Sequence, residues 1–116
     1  MSRSWKVLFY ISKTKANPVE IFFEELEVRE HTKILRVIQY IQEYGLNAVL
    51  PHVKKLSGTP LWEIRILGRD SIRVLYVVPY EQVVLLLHGF RKKTQKTPIS
   101  EIRIAIMRYR DWKERQ

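Results

Sequence analysis

Three apolar runs between residues 61 and 91, separated by short polar breaks, constrain the fold of this chain more than any other feature. Leu61 to Leu67 alternates: Trp62, Ile64 and Ile66 fall on one side, Glu63 and Arg65 on the other, which is the period of a strand. Gly68-Arg69-Asp70-Ser71 is turn-forming, so Ile72 to Val78 is expected to return as the second arm of a hairpin. Tyr80-Glu81-Gln82 makes a second short connection into Val83 to Arg91. That last run begins as continuous apolar sequence, the mark of a strand buried on both faces. A three-stranded meander with two faces to cover is the implied centre of the fold.

The flanking segments supply the covers. Lys6 to Ile11 reads as another short strand, either at an edge of the sheet or within it. Asn17-Pro18 is a helix start, with Asn17 as N-cap, Pro18 at the first helical position and Glu20 placed for a capping-box contact. A second helix is expected from about His31 to Tyr44, where Ile34, Leu35, Ile38 and Ile41 recur at helical spacing before Gly45. Residues 46–60 form a connection with a short extended piece at Val53 to Leu56. Thr97-Pro98 opens a last helix, Thr97 being its expected N-cap, with a buried stripe of Ile99, Ile102, Ala105, Ile106 and Tyr109. The order β-α-α-β-β-β-α predicts an α+β domain spanning residues 1–116: a twisted, mostly antiparallel sheet, an N-terminal helical hairpin and a C-terminal helix.

Composition narrows the function classes. No apolar run approaches the roughly 20 residues that cross a bilayer, and no signal-peptide core follows Met1, so a cytoplasmic protein without membrane contact is expected. The absence of cysteine excludes disulfides and thiol chemistry. The net charge is +9, and it is uneven: nine basic and six acidic residues up to position 58, twelve and six beyond it. Such a field attracts polyanions, of which nucleic acid is the commonest and an acidic protein another; the bland alternative is a basic domain with no such partner.

The candidate chemistry is cationic. His31, His52 and His88 have no metal-ligand spacing, and there is no glycine-rich phosphate loop. Arg73 sits among apolar neighbours inside its strand. Arg65 and Arg73 on adjacent meander strands can share one sheet face, beside Arg91, Lys92 and Lys93 at the end of the third. The bland alternative is a cross-strand ion pair of either arginine with Glu63, or an arginine stem reaching solvent. Lys54 and Lys55 either extend the patch or are a solvated charge pair, and Lys96 belongs to the basic run that follows the third strand. His88 is either a general acid or base or a histidine satisfied by a backbone carbonyl. Trp62, Tyr76 and Phe90 are base-stacking candidates or core.

The blocks LWEIR at 61–65, IRVLY at 72–76, LLHGFRKKTQKTP at 86–98 and EIRIA at 101–105, with VKKLSG at 53–58, closely resemble the RelE/HigB-like toxins, above all their phage-derived branch. The resemblance spans nearly the whole chain, and the HGFxKKTxKTP segment is its most specific part. It implies a RelE-like fold and the toxin of a type II toxin–antitoxin pair, a ribosome-dependent mRNA endoribonuclease. The implied partners are a helix-turn-helix, HigA-like antitoxin, the ribosome and mRNA. Without metal or other cofactor, such proteins make the RNA 2′-OH attack its adjacent phosphate. By matching position, Arg73, Arg65, Lys92 and Lys93 are the implied catalytic residues, and Lys54 or Lys55 lies in the matching basic segment; His88 joins the catalytic candidates as the substitute proton donor, and Arg91 and Lys96 join Lys54 and Lys55 as expected RNA contacts from the basic run. Several relatives carry a tyrosine or histidine near the end of the last strand as proton donor, where this chain has Phe90. A non-catalytic binding module of the same fold, or a prophage remnant, is the alternative. On this reading Arg73→Ala is expected to relieve toxicity with little loss of stability.

Overall fold

The computed structural model describes residues 4–66, 71–93 and 95–116. The chain forms β1 (Lys6–Phe9), α1 (Pro18–Glu24), α2 (Val28–Tyr44), a 3-10 segment (Leu46–His52), β2 (Val53–Lys55), β3 (Trp62–Ile66), β4 (Ser71–Tyr80), β5 (Val83–Lys92) and α3 (Ile99–Glu114). The five strands make one mixed sheet in the order β1-β5-β4-β3-β2. The β2–β3, β3–β4 and β4–β5 pairs are antiparallel, and β1 joins the far edge parallel to β5. This is the α+β, RelE-like architecture that the resemblance implies. The turn expected at Gly68-Arg69-Asp70 lies outside the described residues.

Each face of the sheet has its own core. Ile64, Ile66, Ile72, Val74, Tyr76, Val84 and Leu86 pack under α1 and α2 with Val19, Phe23, Ile34 and Ile41. Leu75, Val77, Leu85, Leu87 and Phe90 pack under α3 with Ala105, Ile102, Ile106 and Tyr109. Ile99, expected in that stripe, is exposed. The strands therefore read as apolar runs because both faces are covered.

The caps differ from expectation in instructive ways. Asn17 does cap α1, its Oδ1 accepting from the Glu20 backbone N–H at 3.1 Å. Helix α2 starts three residues earlier than periodicity alone suggests, because Glu27 and Glu30 close a capping box there. Thr97 does not cap α3. The helix begins after Pro98, without a side-chain cap, and the Thr97 hydroxyl donates instead to the Glu63 carboxylate.

One irregularity governs what β5 shows to each side. Leu75 lies opposite His88 and Tyr76 opposite Leu86, so Leu87 is an extra residue with no partner on β4. Its carbonyl accepts a hydrogen bond from Arg108 Nη1 of α3 at 2.8 Å. Past this bulge, His88, Phe90 and Lys92 share the α3 side, while Gly89 and Arg91 face α1 and α2. Gly89 is required where it stands: a Cβ there would lie 2.5 Å from the Phe22 ring.

A candidate nucleic-acid interface

The register brings charge together on one face. Arg65 is directly opposite Arg73, Lys54 opposite Glu63, and Lys92 continues the same side of β5. On this face the charged side chains converge. There Lys54, Glu63, Arg65, Arg73, Lys92, Lys93 and Gln95 line a cleft of about 460 Å³. A larger cavity of about 870 Å³ lies elsewhere, between Tyr10 to Thr14 and the outer side of α3, and none of the meander's cations reaches it.

The cleft has a fixed floor and a loose rim. Glu63 is 2% exposed and organises the floor. Its Oε1 is 2.7 Å from Arg73 Nε and 3.7 Å from Lys92 Nζ, and Thr97 donates to its other oxygen. The Arg73 Nε–H is not aimed at that oxygen, so this contact is Coulombic rather than a directional hydrogen bond. Arg73 Nη1 donates to the Ile72 carbonyl at 3.3 Å. Burial pulls Arg73 below its ordinary range against the opposing pull of Glu63, with Arg65 adding to the downward push. An arginine still stays charged at any physiological pH. Burial likewise lowers the Lys92 ammonium, Glu63 opposes, and Arg73, Lys54 and Arg65 push it further down. Lys54, Arg65 and Lys93 form the rim and are exposed.

The ion pair of Arg73 with Glu63 is thus present, and it does not remove Arg73 from the cleft. It does overturn one expectation. Arg73 is only 7% exposed and neutralises a buried carboxylate, so Arg73→Ala would cost substantial stability.

Four of the sequence candidates lie away from the cleft. His88 turns beneath α3: Nε2 is 2.8 Å from Glu101 Oε2, Nδ1 is 3.1 Å from Arg108 Nη1, and the ring stacks on Phe90. A guanidinium only donates, so Nδ1 must be the acceptor and the ring carries its proton on Nε2. Burial lowers the His88 pKa from its ordinary value, Glu101 opposes and Arg108 adds to the lowering, which agrees with that neutral tautomer. Arg91 faces the other way and grips Glu30 at the start of α2 through two hydrogen bonds of 2.9 and 2.8 Å. Lys55 lies over the Trp62 ring at 5.6 Å, on the α2 side. Lys96 is exposed between β5 and α3 and does not line the cleft.

Of the aromatic candidates, Tyr76 and Phe90 are core, and Trp62 packs against the α2-side core. The residue that charge counting alone undervalues is Glu63, which sequence reading offers only as an ion-pair partner. Its signal is an acid alternating with Arg65 on one side of an otherwise apolar strand.

Comparison with known proteins gives a family. No curated protein matches the chain. The model of the family described as "Phage derived protein Gp49-like" matches residues 21–110, which takes in every strand but β1 and all of the cleft. That family is toxin-like and phage-derived, and it falls within the RelE/HigB-like superfamily. With most of its length matched, the chain belongs to the phage-derived Gp49-like family.

Proposed function

We propose that this protein is the toxin of a type II toxin–antitoxin pair and that its cleft binds and cleaves mRNA on the ribosome. The observation that carries the proposal is the convergence of five cations from β2, β3, β4 and the end of β5 on one cleft, two of them fixed by a single buried carboxylate. Arg73 and Arg65 are suited to hold the non-bridging oxygens of a phosphate. Extra negative charge on the pentacoordinate phosphorane is then met by groups already in place, without reorganisation. The 2′-oxygen forms a bond to phosphorus and the bond to O5′ breaks, leaving a 2′,3′-cyclic phosphate and a 5′-hydroxyl. Lys92, whose ammonium is weakened by burial, first releases its proton to solvent and then, as the neutral amine, takes the 2′-OH proton. A rim lysine, Lys54 or Lys93, delivers a proton to O5′. The family also points to a cognate antitoxin as the partner that holds such a toxin inactive.

A non-catalytic RNA binder is the second reading. It is favoured by His88 lying beneath α3 and by the absence of any tyrosine lining the cleft among the described residues.

Expression of the chain alone, with primer extension on translated messages, separates the two. A toxin arrests growth and leaves cuts within codons. Arg65→Ala and Lys93→Ala are the informative variants, since both side chains are exposed and their loss leaves the core intact. Both are expected to relieve the arrest, and unchanged cutting in both would place the chemistry elsewhere. A pure binder gives no cuts but an RNA affinity that falls steeply with salt, by a log–log slope of up to about −3.5 if each of the five cations meets a phosphate.

A further inference from the structure

Among the described residues, the sheet edge beside the cleft is only partly paired. Strand β2 pairs β3 only from Trp62 to Ile64, so Arg65 and Ile66 extend past its end. The 3-10 segment and α2 flank this gap on the opposite face of the sheet and enclose a second pocket of about 260 Å³. Val37, Val49 and Ile66 are among its apolar lining, while Arg36, Tyr40 and His52 bring polar or cationic groups to it. Arg65 lines both this pocket and the cleft, so among the described residues the two meet at that side of β3.

We propose that this pocket is a nucleobase slot, taking the base of a nucleotide adjacent to the one whose phosphate sits in the cleft. The inference rests on the reading of the cleft as an RNA site. Its volume lies below the roughly 300 Å³ at which sites for drug-sized ligands begin, so it suits one flat ring system rather than a whole nucleotide. Apolar walls beside an exposed tyrosine offer a stacking surface for any base, and the cations of Arg36 and Arg65 match the phosphates that flank such a base. A single strand entering from the cleft passes Arg65 first. That residue then contacts the phosphate between the two nucleotides. A folded duplex is too thick to cross the edge in this way, so the slot selects single-stranded RNA.

The test uses short single-stranded RNAs carrying 2-aminopurine at each position in turn, and the same RNAs abasic at that position. Stacking in the slot quenches the fluorophore at one position only. Ala48, exposed in the pocket wall, is replaced by tryptophan to fill the slot, and Tyr40→Ala removes the stacking ring without adding bulk. Each variant is expected to weaken binding of the base-bearing RNA roughly ten-fold. Neither changes affinity for the RNA abasic at the quenched position. If both variants keep the parent's affinity and quenching while Arg65→Ala and Lys93→Ala lose RNA, the slot is refuted and the cleft stands. If Arg65→Ala and Lys93→Ala also keep full affinity, the cleft reading falls and takes the slot with it.

Discussion

Replacing Glu63 by glutamine removes a charge and almost no volume. In the folded protein it leaves Arg73 and Lys92 facing each other across a neutral amide, with side-chain exposures of 9% and 6%. Breaking a buried ion pair by removing one partner costs about 3–5 kcal/mol, because the other charge stays buried without compensation. For 116 residues, an unfolding entropy of roughly 2.1 cal/mol/K per residue makes each kcal/mol worth about 4 °C in Tm. Glu63→Gln should therefore melt about 12–20 °C below the parent at pH 7, followed by far-UV circular dichroism. The loss should also depend on pH in a specific direction. Lys92 already sits below its usual range, and without Glu63 it sits lower still. Between that folded value and the unfolded value of about 10.4 the unfolded chain binds more protons, so stability rises with pH across the window. The variant should recover part of its loss as the pH is raised toward 10, as Lys92 sheds its proton. A melting point within about 3 °C of the parent at pH 7, or no recovery in base, would refute the idea that one carboxylate holds the cleft floor together.

Three other expectations are open to direct measurement. Arg91→Ala should lower Tm by about 4 °C, the value of roughly 1 kcal/mol for a bidentate, partly exposed pair with Glu30, and leave RNA affinity within two-fold. A large loss of RNA binding in that variant would return Arg91 to the interface. His88 resists protonation when folded, so its contribution is full above about pH 6.5 and is lost as the pH falls toward its lower folded value. Urea midpoints taken from pH 7.5 to 5 should decline more steeply in the parent than in His88→Gln, and equal slopes would contradict the neutral ring between Glu101 and Arg108. Gly89→Ala drives a methyl into the Phe22 ring, at a cost of about 1–3 kcal/mol by urea denaturation. Phe22→Leu in the same chain should recover much of that cost, and a variant as stable as the parent would show that Phe22 moves freely.

Local pattern carries much of this molecule. The alternation of Trp62, Ile64 and Ile66 against Glu63 and Arg65 gives the faces of β3, and Asn17-Pro18 gives the start of α1 to the residue. The shared face of Arg65 and Arg73 also follows from alternation once the hairpin register is known. What local pattern cannot hold is competition between distant partners. Thr97 has the composition of an N-cap, but a buried carboxylate across the sheet is a stronger acceptor for its hydroxyl than the first turn of α3 is a donor. Arg91, Lys92 and Lys93 read as one basic run, while the pleat sends Arg91 to Glu30 and Lys92 to Glu63. The early start of α2 was written in Glu27 and Glu30, whose reciprocal contacts outweigh the weak apolar periodicity there.

The unpartnered Leu87 has a consequence beyond local shape. A pleated strand assigns its side chains by odd and even count, and one extra residue exchanges the two sets from that point on. Because the next three side chains after Phe90 are all cationic, that exchange leaves the charge of each face almost unaltered. What changes is identity: with the bulge a lysine enters the cleft and an arginine meets the helix, and without it they trade places. The distinction matters chemically, since a lysine can give up its proton in the cleft and an arginine cannot. The acid–base capacity of the site is therefore decided by a backbone count made five residues upstream, at a carbonyl that Arg108 of another element holds in place.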